Sequence, residues 1–184
     1  MRWLAAQKLA QDGATETTPA ILEALSLEKT SSARVNIAFA LAQLGETKGL
    51  GTLLEACHDD TTRPYLRAVA ARYVLDLHRD DKRCLNDLVD MLRVDSGPDS
   101  RLEAISLLPR FRGLSKEESQ EVLQGLFVAL KSSQPAVRLA SSHALGEIGN
   151  SSALPYLRNA LASEGDTNVR SEMQADIRRL EQAN

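Results

Sequence analysis

The sequence predicts an all-α solenoid of stacked helical hairpins, and three observations carry that prediction. First, an arginine recurs at Arg2, Arg34, Arg67, Arg101, Arg138 and Arg170, at intervals of 32, 33, 34, 37 and 32 residues. Second, the segments around and between these anchors place leucine and alanine at helical spacing, with no period-two run of the kind a strand needs. Third, the punctuation fits helices: prolines at first-turn positions and glycines at the ends.

The best-matched anchors are "MRWLAAQKLAQDG", "ARVNIAFALAQLG" and "VRLASSHALGEIG", ending at Gly13, Gly45 and Gly149. Each has a small residue four positions after the arginine, a leucine seven after it and a glycine eleven after it. "LRAVAARYVLDLH", "SRLEAISLLPRFR" and "VRSEMQADIRRLE" follow the frame more loosely. Between them lie "TPAILEALSLE", "GLGTLLEACHD", "CLNDLVDMLRV", "ESQEVLQGLFVALKSS" and "ALPYLRNALAS", each the other helix of a pair. Pro64, Pro98 and Pro135 open arginine-bearing helices, where a missing N–H costs nothing. Ser32, Thr62 and Asp166 are the expected N-caps, and Ser115 with Glu118 forms a capping box. Gly13, Gly45, Gly113 and Gly149 are the expected stops. A single pair has too little interior to stand alone, so the repetition is first a way of building a core.

The chain of 184 residues is 43% apolar and 26% charged, within the range of an ordinary globular protein. Its 22 basic and 25 acidic residues leave a net charge of −3, and aromatic residues make up 4%. Without a basic excess or aromatic platforms, a nucleic-acid partner is not expected. No stretch reaches the roughly 20 apolar residues of a membrane span, so no membrane contact is expected from this segment. "MRWLAAQKLAQDG" is too polar for a signal peptide. Cys57 and Cys84 form no CxxC motif and sit among apolar helical residues, so they read as reduced thiols of a cytoplasmic protein.

"AVRLASSHALGEIGNSSALPYL" resembles the short HEAT-like repeat named after phycobilisome lyases, and "ARVNIAFALAQLGETKGLGTLL" is similar to it. The resemblance spans essentially the whole chain and is strongest near residues 1, 33 and 136. It implies a right-handed α–α superhelix of five to six HEAT-like hairpins, with arginine-bearing helices lining the concave side. The repeats near Arg67 and Arg101 depart from it: they lack the closing glycine in its usual place, and Pro109 falls late in a helix. Residues 1–184 are expected to form one repeat domain that starts mid-repeat, as a fragment of a longer protein or behind an unusual cap. At the other end, Val169, Met173, Ile177 and Leu180 share one face of an otherwise polar helix, as a terminal cap requires.

The arginine ladder invites a reading as an anion-binding stripe. Constancy at one structural position instead predicts that each arginine bonds turn carbonyls or acids of a neighbouring repeat. Partner binding is expected where repeats differ, on the groove-facing positions of the arginine helices. Those positions supply Trp3, Val35, Phe39, Arg72, Asp76, Glu103, Arg110, His143 and Glu147. Their mixture of apolar, aromatic and charged groups suits a protein or peptide partner.

Catalytic and metal-binding motifs are not expected. His143 and Glu147 lie four apart on one helical face, but one helical turn supplies two ligands where zinc takes three or four. Cys57, His58, His78 and Cys84 match no standard zinc spacing. "GETKGLG" carries neither GxGxxG nor GxxxxGK[ST], and its glycines read as helix stop and helix start. Asp59–Asp60 and Asp80–Asp81 lack the alternation of a calcium loop. The sequence therefore predicts a non-catalytic interaction or scaffold module without a cofactor. Its alternatives are a subunit of a bilin lyase or related chromophore-handling enzyme, which the resemblance permits, and a regulatory segment of a larger protein.

Overall fold

The computed structural model of the chain describes residues 2–93 and 96–182; Met1 and Val94 of the quoted repeat segments lie outside them. The described residues form eleven α-helices and no strand: α1 Arg2–Gln11, α2 Thr18–Leu27, α3 Ser31–Gln43, α4 Thr47–His58, α5 Pro64–Leu77, α6 Leu85–Arg93, α7 Pro98–Leu107, α8 Lys116–Ala129, α9 Pro135–Ile148, α10 Leu154–Ser163 and α11 Thr167–Gln182. Short 3₁₀ turns cover Thr15–Thr17, Leu108–Arg110 and Ser151–Ala153. The expected all-α arrangement of helical hairpins, the α-solenoid class, is what the chain adopts.

Two compact units share the chain, Met1–Asp87 and Leu88–Asn184. In the first, α3 packs against α1, α2, α4 and α5. Ile21, Leu25, Ile37, Leu41, Leu53 and Leu75 are buried there. In the second, α9 packs against α7, α8 and α11, around buried Ile105, Leu126, Leu145 and Met173. Each hairpin thus buries its apolar stripe on its neighbour.

Helix ends follow the expected punctuation closely. Pro64, Pro98 and Pro135 are the first residues of α5, α7 and α9. Gly149 ends α9 in the left-handed conformation, φ 74°, and its N–H donates to the Leu145 carbonyl. Gly13, Gly45 and Gly113 also have positive φ. The Ser115–Glu118 capping box opens α8, and Asp166 accepts from the Asn168 and Val169 amides at the start of α11.

Two expected caps are corrected. Ser32 lies inside α3, because that helix already begins at Ser31. Thr62 donates its hydroxyl to Asp59 at 2.8 Å, which takes it away from the amides of α5. The "GETKGLG" reading is corrected in part as well. Gly49 lies within α4 where it crosses α3, and a Cβ there would collide with the Ala38 carbonyl oxygen and the Ala42 amide nitrogen. Its role is close helix approach, whereas Gly45 is the stop.

The largest correction concerns the cysteines. Cys57, the penultimate residue of α4, and Cys84, just before α6, are joined in a disulfide with Cα atoms 6.1 Å apart. Stacking of the hairpins brings two apolar positions 27 residues apart in sequence into contact. Spacing along the chain carries no trace of that meeting.

Candidate functional site

Arg2 is exposed, and the other five arginines of the ladder are engaged internally. Arg34 donates to the Leu25 and Glu28 carbonyls at 3.1 and 3.3 Å. Arg67 reaches the Cys57 carbonyl, Asp60 and Asp87. Arg101 donates to the Ser132 hydroxyl at 3.4 Å. Arg138 grips Glu164 and the Ser132 and Ser133 carbonyls, and Arg170 donates to the Glu164 carbonyl. These guanidiniums hold turns to helices, as their constancy predicts, and present no common stripe to an anion.

The outward row of the first unit runs over α1, α3 and α5. Asn36 is its polar hub. Its side-chain oxygen accepts from Gln7 on α1 at 3.3 Å and from the Tyr73 hydroxyl on α5 at 2.8 Å, and its amide donates back to the Ser32 carbonyl. Phe39 lies flat against Tyr73, with centroids 4.0 Å apart and planes 8° from parallel. The Arg72 guanidinium carbon is 5.6 Å from the centre of the same tyrosine ring. Phe39, Arg72 and Tyr73 are half-buried, Asp76 is exposed, Trp3 is half-buried and Leu4 beside it is 50% exposed.

One member of the expected site drops out. Val35 is 2% exposed and belongs to the core. Positions just after the arginine lie at the seam where flanking helices meet α3, and the neighbour covers them; Ala68 and Val69 on α5 are buried in the same way. Tyr73 is the residue the sequence register passed over. It follows Arg72 directly and reaches the outward row only because its ring turns back over α3 to meet Phe39.

In the second unit, Glu103 on α7 is half-buried, and Arg110 lies in the 3₁₀ turn after α7, where Pro109 tightens the helix end. His143 and Glu147 lie one turn apart on α9, and the ion contact of His143 runs to the next helix. His143 Nε2 lies 3.8 Å from the Glu172 carboxylate of α11, while Glu147 is exposed. A cleft of about 570 Å³ opens on α8 and α10. Phe127 and Tyr156 stack on its wall with centroids 3.6 Å apart, and Tyr156 is 51% exposed. The cleft floor includes Arg138 and Glu164. Hydrogen bonds from Arg138 hold the Glu164 carboxyl down at about 2, against an ordinary 4.5, so it is a structural anion and not an acid–base group.

Among the described residues, one group of donors has the proximity of a metal site. His58 Nδ1 is 2.8 Å from Asp87 Oδ2 and 3.7 Å from Cys57 Sγ. The three ligand atoms lie within 4.8 Å of one another, and His78 is not among them. No helix among the described residues is long and apolar enough to cross a membrane.

Comparison with known proteins completes the picture. The family model for HEAT repeats matches residues 85–176, half of the chain. No curated protein matches. The solved complex of CpcE and CpcF of phycocyanin lyase from Nostoc sp. PCC7120 contains a similar chain. The likeness has a TM-score of 0.60 at 22% identity, covering 88% of this chain and 98% of that one. An engineered protein is similar over 99% of this chain and 91% of its own, with a TM-score of 0.52 at 17% identity. At these identities the likeness is one of fold.

Proposed function

Because the chain belongs to the HEAT repeat family, we propose that it is a non-catalytic protein–protein interaction module of the cytoplasm, binding a protein or peptide through the outward rows of its arginine-bearing helices. The observation that carries this reading is the Phe39–Tyr73 stack beneath Arg72. Tyrosine and arginine are enriched at interface hot spots: the tyrosine ring buries large area at low entropic cost, and the guanidinium aligns a partner through charge. Trp3 and Leu4 extend the apolar part of this face, and Asp76 supplies the opposite charge at its edge. Glu103, Arg110, His143 and Glu147 are the corresponding contacts of the second unit. Internal engagement of the ladder supports the same view, since it leaves recognition to positions that vary.

The test is capture from host lysate followed by affinity measurement with the purified partner. Wild type stands beside the Phe39→Ala/Arg72→Glu and Arg72→Glu/Arg110→Glu variants. The expected result is a partner whose Kd rises at least about tenfold in the variants, with the helical circular-dichroism signal unchanged. Equal affinity in well-folded variants would sink the reading.

A second reading rests on the likeness to a chain of the phycocyanin lyase complex. In it, the chain is one subunit of a chromophore-handling enzyme and pairs with a second subunit. Mixing with bilin and recording the visible spectrum separates the two, because a pure interaction module leaves the spectrum unaltered.

A further inference from the structure

We propose that the dithiol form of the Cys57–Cys84 pair is a zinc site, with His58 and Asp87 as its remaining ligands, so that the oxidation state of the pair decides whether metal binds. The four residues lie together inside the first unit, at the end of α4 and the start of α6. Two thiolates, one imidazole and one carboxylate form a four-ligand set that suits zinc and disfavours magnesium or calcium, which take oxygen ligands.

The distances fit. Zinc bonds of about 2.0–2.3 Å in a tetrahedron place neighbouring ligand atoms about 3.3–3.8 Å apart. Cys57 Sγ and His58 Nδ1 are already 3.7 Å apart. His58 Nδ1 and Asp87 Oδ2, now 2.8 Å apart, have only to open by a fraction of an ångström. Cys84 Sγ is bonded to Cys57 Sγ but stands outside the 4.8 Å cluster of the other three, so cleavage of that bond frees a fourth ligand next to Cys57 that swings in to complete the set. Arg67 donates to the second oxygen of Asp87 at 2.9 Å and to the Cys57 carbonyl at 3.0 Å. It therefore orients one ligand and the backbone of another, as outer-shell partners of metal sites do.

Charge and access agree as well. Two thiolates and a carboxylate around Zn(II) leave one negative charge, which the Arg67 guanidinium offsets. The sulfurs are buried, at 0 and 2% exposure, whereas the His58 side chain is 49% exposed and gives the ion its way in. Opening the site consumes two electrons and two protons: a dithiol reductant gives them to the disulfide, becomes a disulfide itself and leaves two thiols. Zn(II) then replaces the two thiol protons, which pass to solvent. A reducing cytoplasm favours the dithiol state.

The experiment uses the full chain, reduced with a dithiol that is then removed anaerobically, and titrated with Co(II) and then Zn(II). The proposal expects one Co(II) per reduced chain, with thiolate-to-cobalt charge-transfer absorption and tetrahedral d–d bands that Zn(II) abolishes. The oxidised chain takes up none. His58→Ala and Asp87→Asn keep both cysteines, and each is expected to weaken binding at least about tenfold. Circular dichroism runs alongside: a reduced chain that loses helix must regain it with Zn(II). No uptake by the reduced chain, equal uptake by the oxidised chain, undiminished affinity in both variants, or lost helix that zinc does not restore would each overturn it.

Discussion

Arg138 and Glu164 meet fork to fork: Nε donates to Oε2 and Nη2 to Oε1, each at 2.7 Å, with the carboxylate side chain 2% exposed. Glu164 precedes α11 and Arg138 lies in the first turns of α9, so this pair fastens two repeats across 26 residues of sequence. Its strength is tied to pH. The folded-state carboxyl titrates at about 2 instead of 4.5, so its contribution is complete above 4.5 and disappears as pH falls toward 2. The full shift corresponds to roughly 3 kcal/mol, which solvent screening reduces to about 2 kcal/mol. Thermal melts from about pH 5 down to about pH 2 are expected to show a steeper loss of Tm for wild type than for Glu164→Gln. Parallel profiles would remove the pair as a determinant of acid stability.

Gly49 and Gly51 are expected to respond oppositely to the same substitution. A methyl at 49 meets the Ala38 and Ala42 backbone, whereas nothing lies within 4 Å of the Cβ position at 51. Gly49→Ala is expected to lose at least about 2 kcal/mol through overpacking. Gly51→Ala is expected to gain up to about 1 kcal/mol from helix propensity. Urea denaturation distinguishes them, and similar midpoints for the two variants would contradict the close α3–α4 crossing.

Reduction of Cys57–Cys84 is expected to lower stability by about 3.5 kcal/mol, the loop-closure value for a crosslink of this span. Differential scanning calorimetry with and without a dithiol, both in the presence of a chelator, measures it. An unchanged Tm would mean that the unfolded chain gains no freedom when the bond opens.

Ser142 donates to Asp176 at 2.7 Å with both residues buried, and Arg179 holds the other carboxylate oxygen at 3.0 Å. Ser142→Ala deprives a buried charge of one partner and is expected to cost about 1–3 kcal/mol. Arg179→Met removes a charge partner that is itself 58% exposed, so solvent screening holds the expected cost to about 1–2 kcal/mol. Because they share Asp176, the double variant is expected to fall short of the sum in a double-mutant cycle. Strict additivity would show that the two bonds act separately.

Much of the fold was legible because it repeats. Arg34, Arg67 and Arg138 recur at one helical position, and Pro64, Pro98, Pro135 and Gly149 bracket the helices by backbone chemistry that acts within a few residues. What the sequence hid depends on distances between helices. Gly49 reads as a helix start until α3 is seen beside it, and Cys57 reads as a core thiol until Cys84 arrives from the next hairpin. Within the candidate site, Phe39, Arg72 and Asp76 were legible from the register of their helices. Val35 was misplaced because a helical wheel does not include the flanking helices that cover a seam. Tyr73 was missed for a related reason: a long side chain reaches a row that its Cα does not share.

The arginine joints are of two kinds, and the difference bears on how such a chain can change length over evolution. Arg34 bonds carbonyls of the turn just before its own helix, at Leu25 and Glu28. A hairpin copied or deleted together with that turn keeps its arginine satisfied, so this joint is portable. Arg67 and Arg138 instead reach forward to the carboxylates of Asp87 and Glu164, 20 and 26 residues downstream. Excising the following hairpin would leave each guanidinium its upstream partners, Cys57 and Asp60 for Arg67 and Ser132 and Ser133 for Arg138, but take away its downstream carboxylate, and inserting one without an acid at the matching place would do the same. Gene duplication therefore has free play at the first kind of joint, while the second works as a keyed coupling that fixes which hairpin comes next.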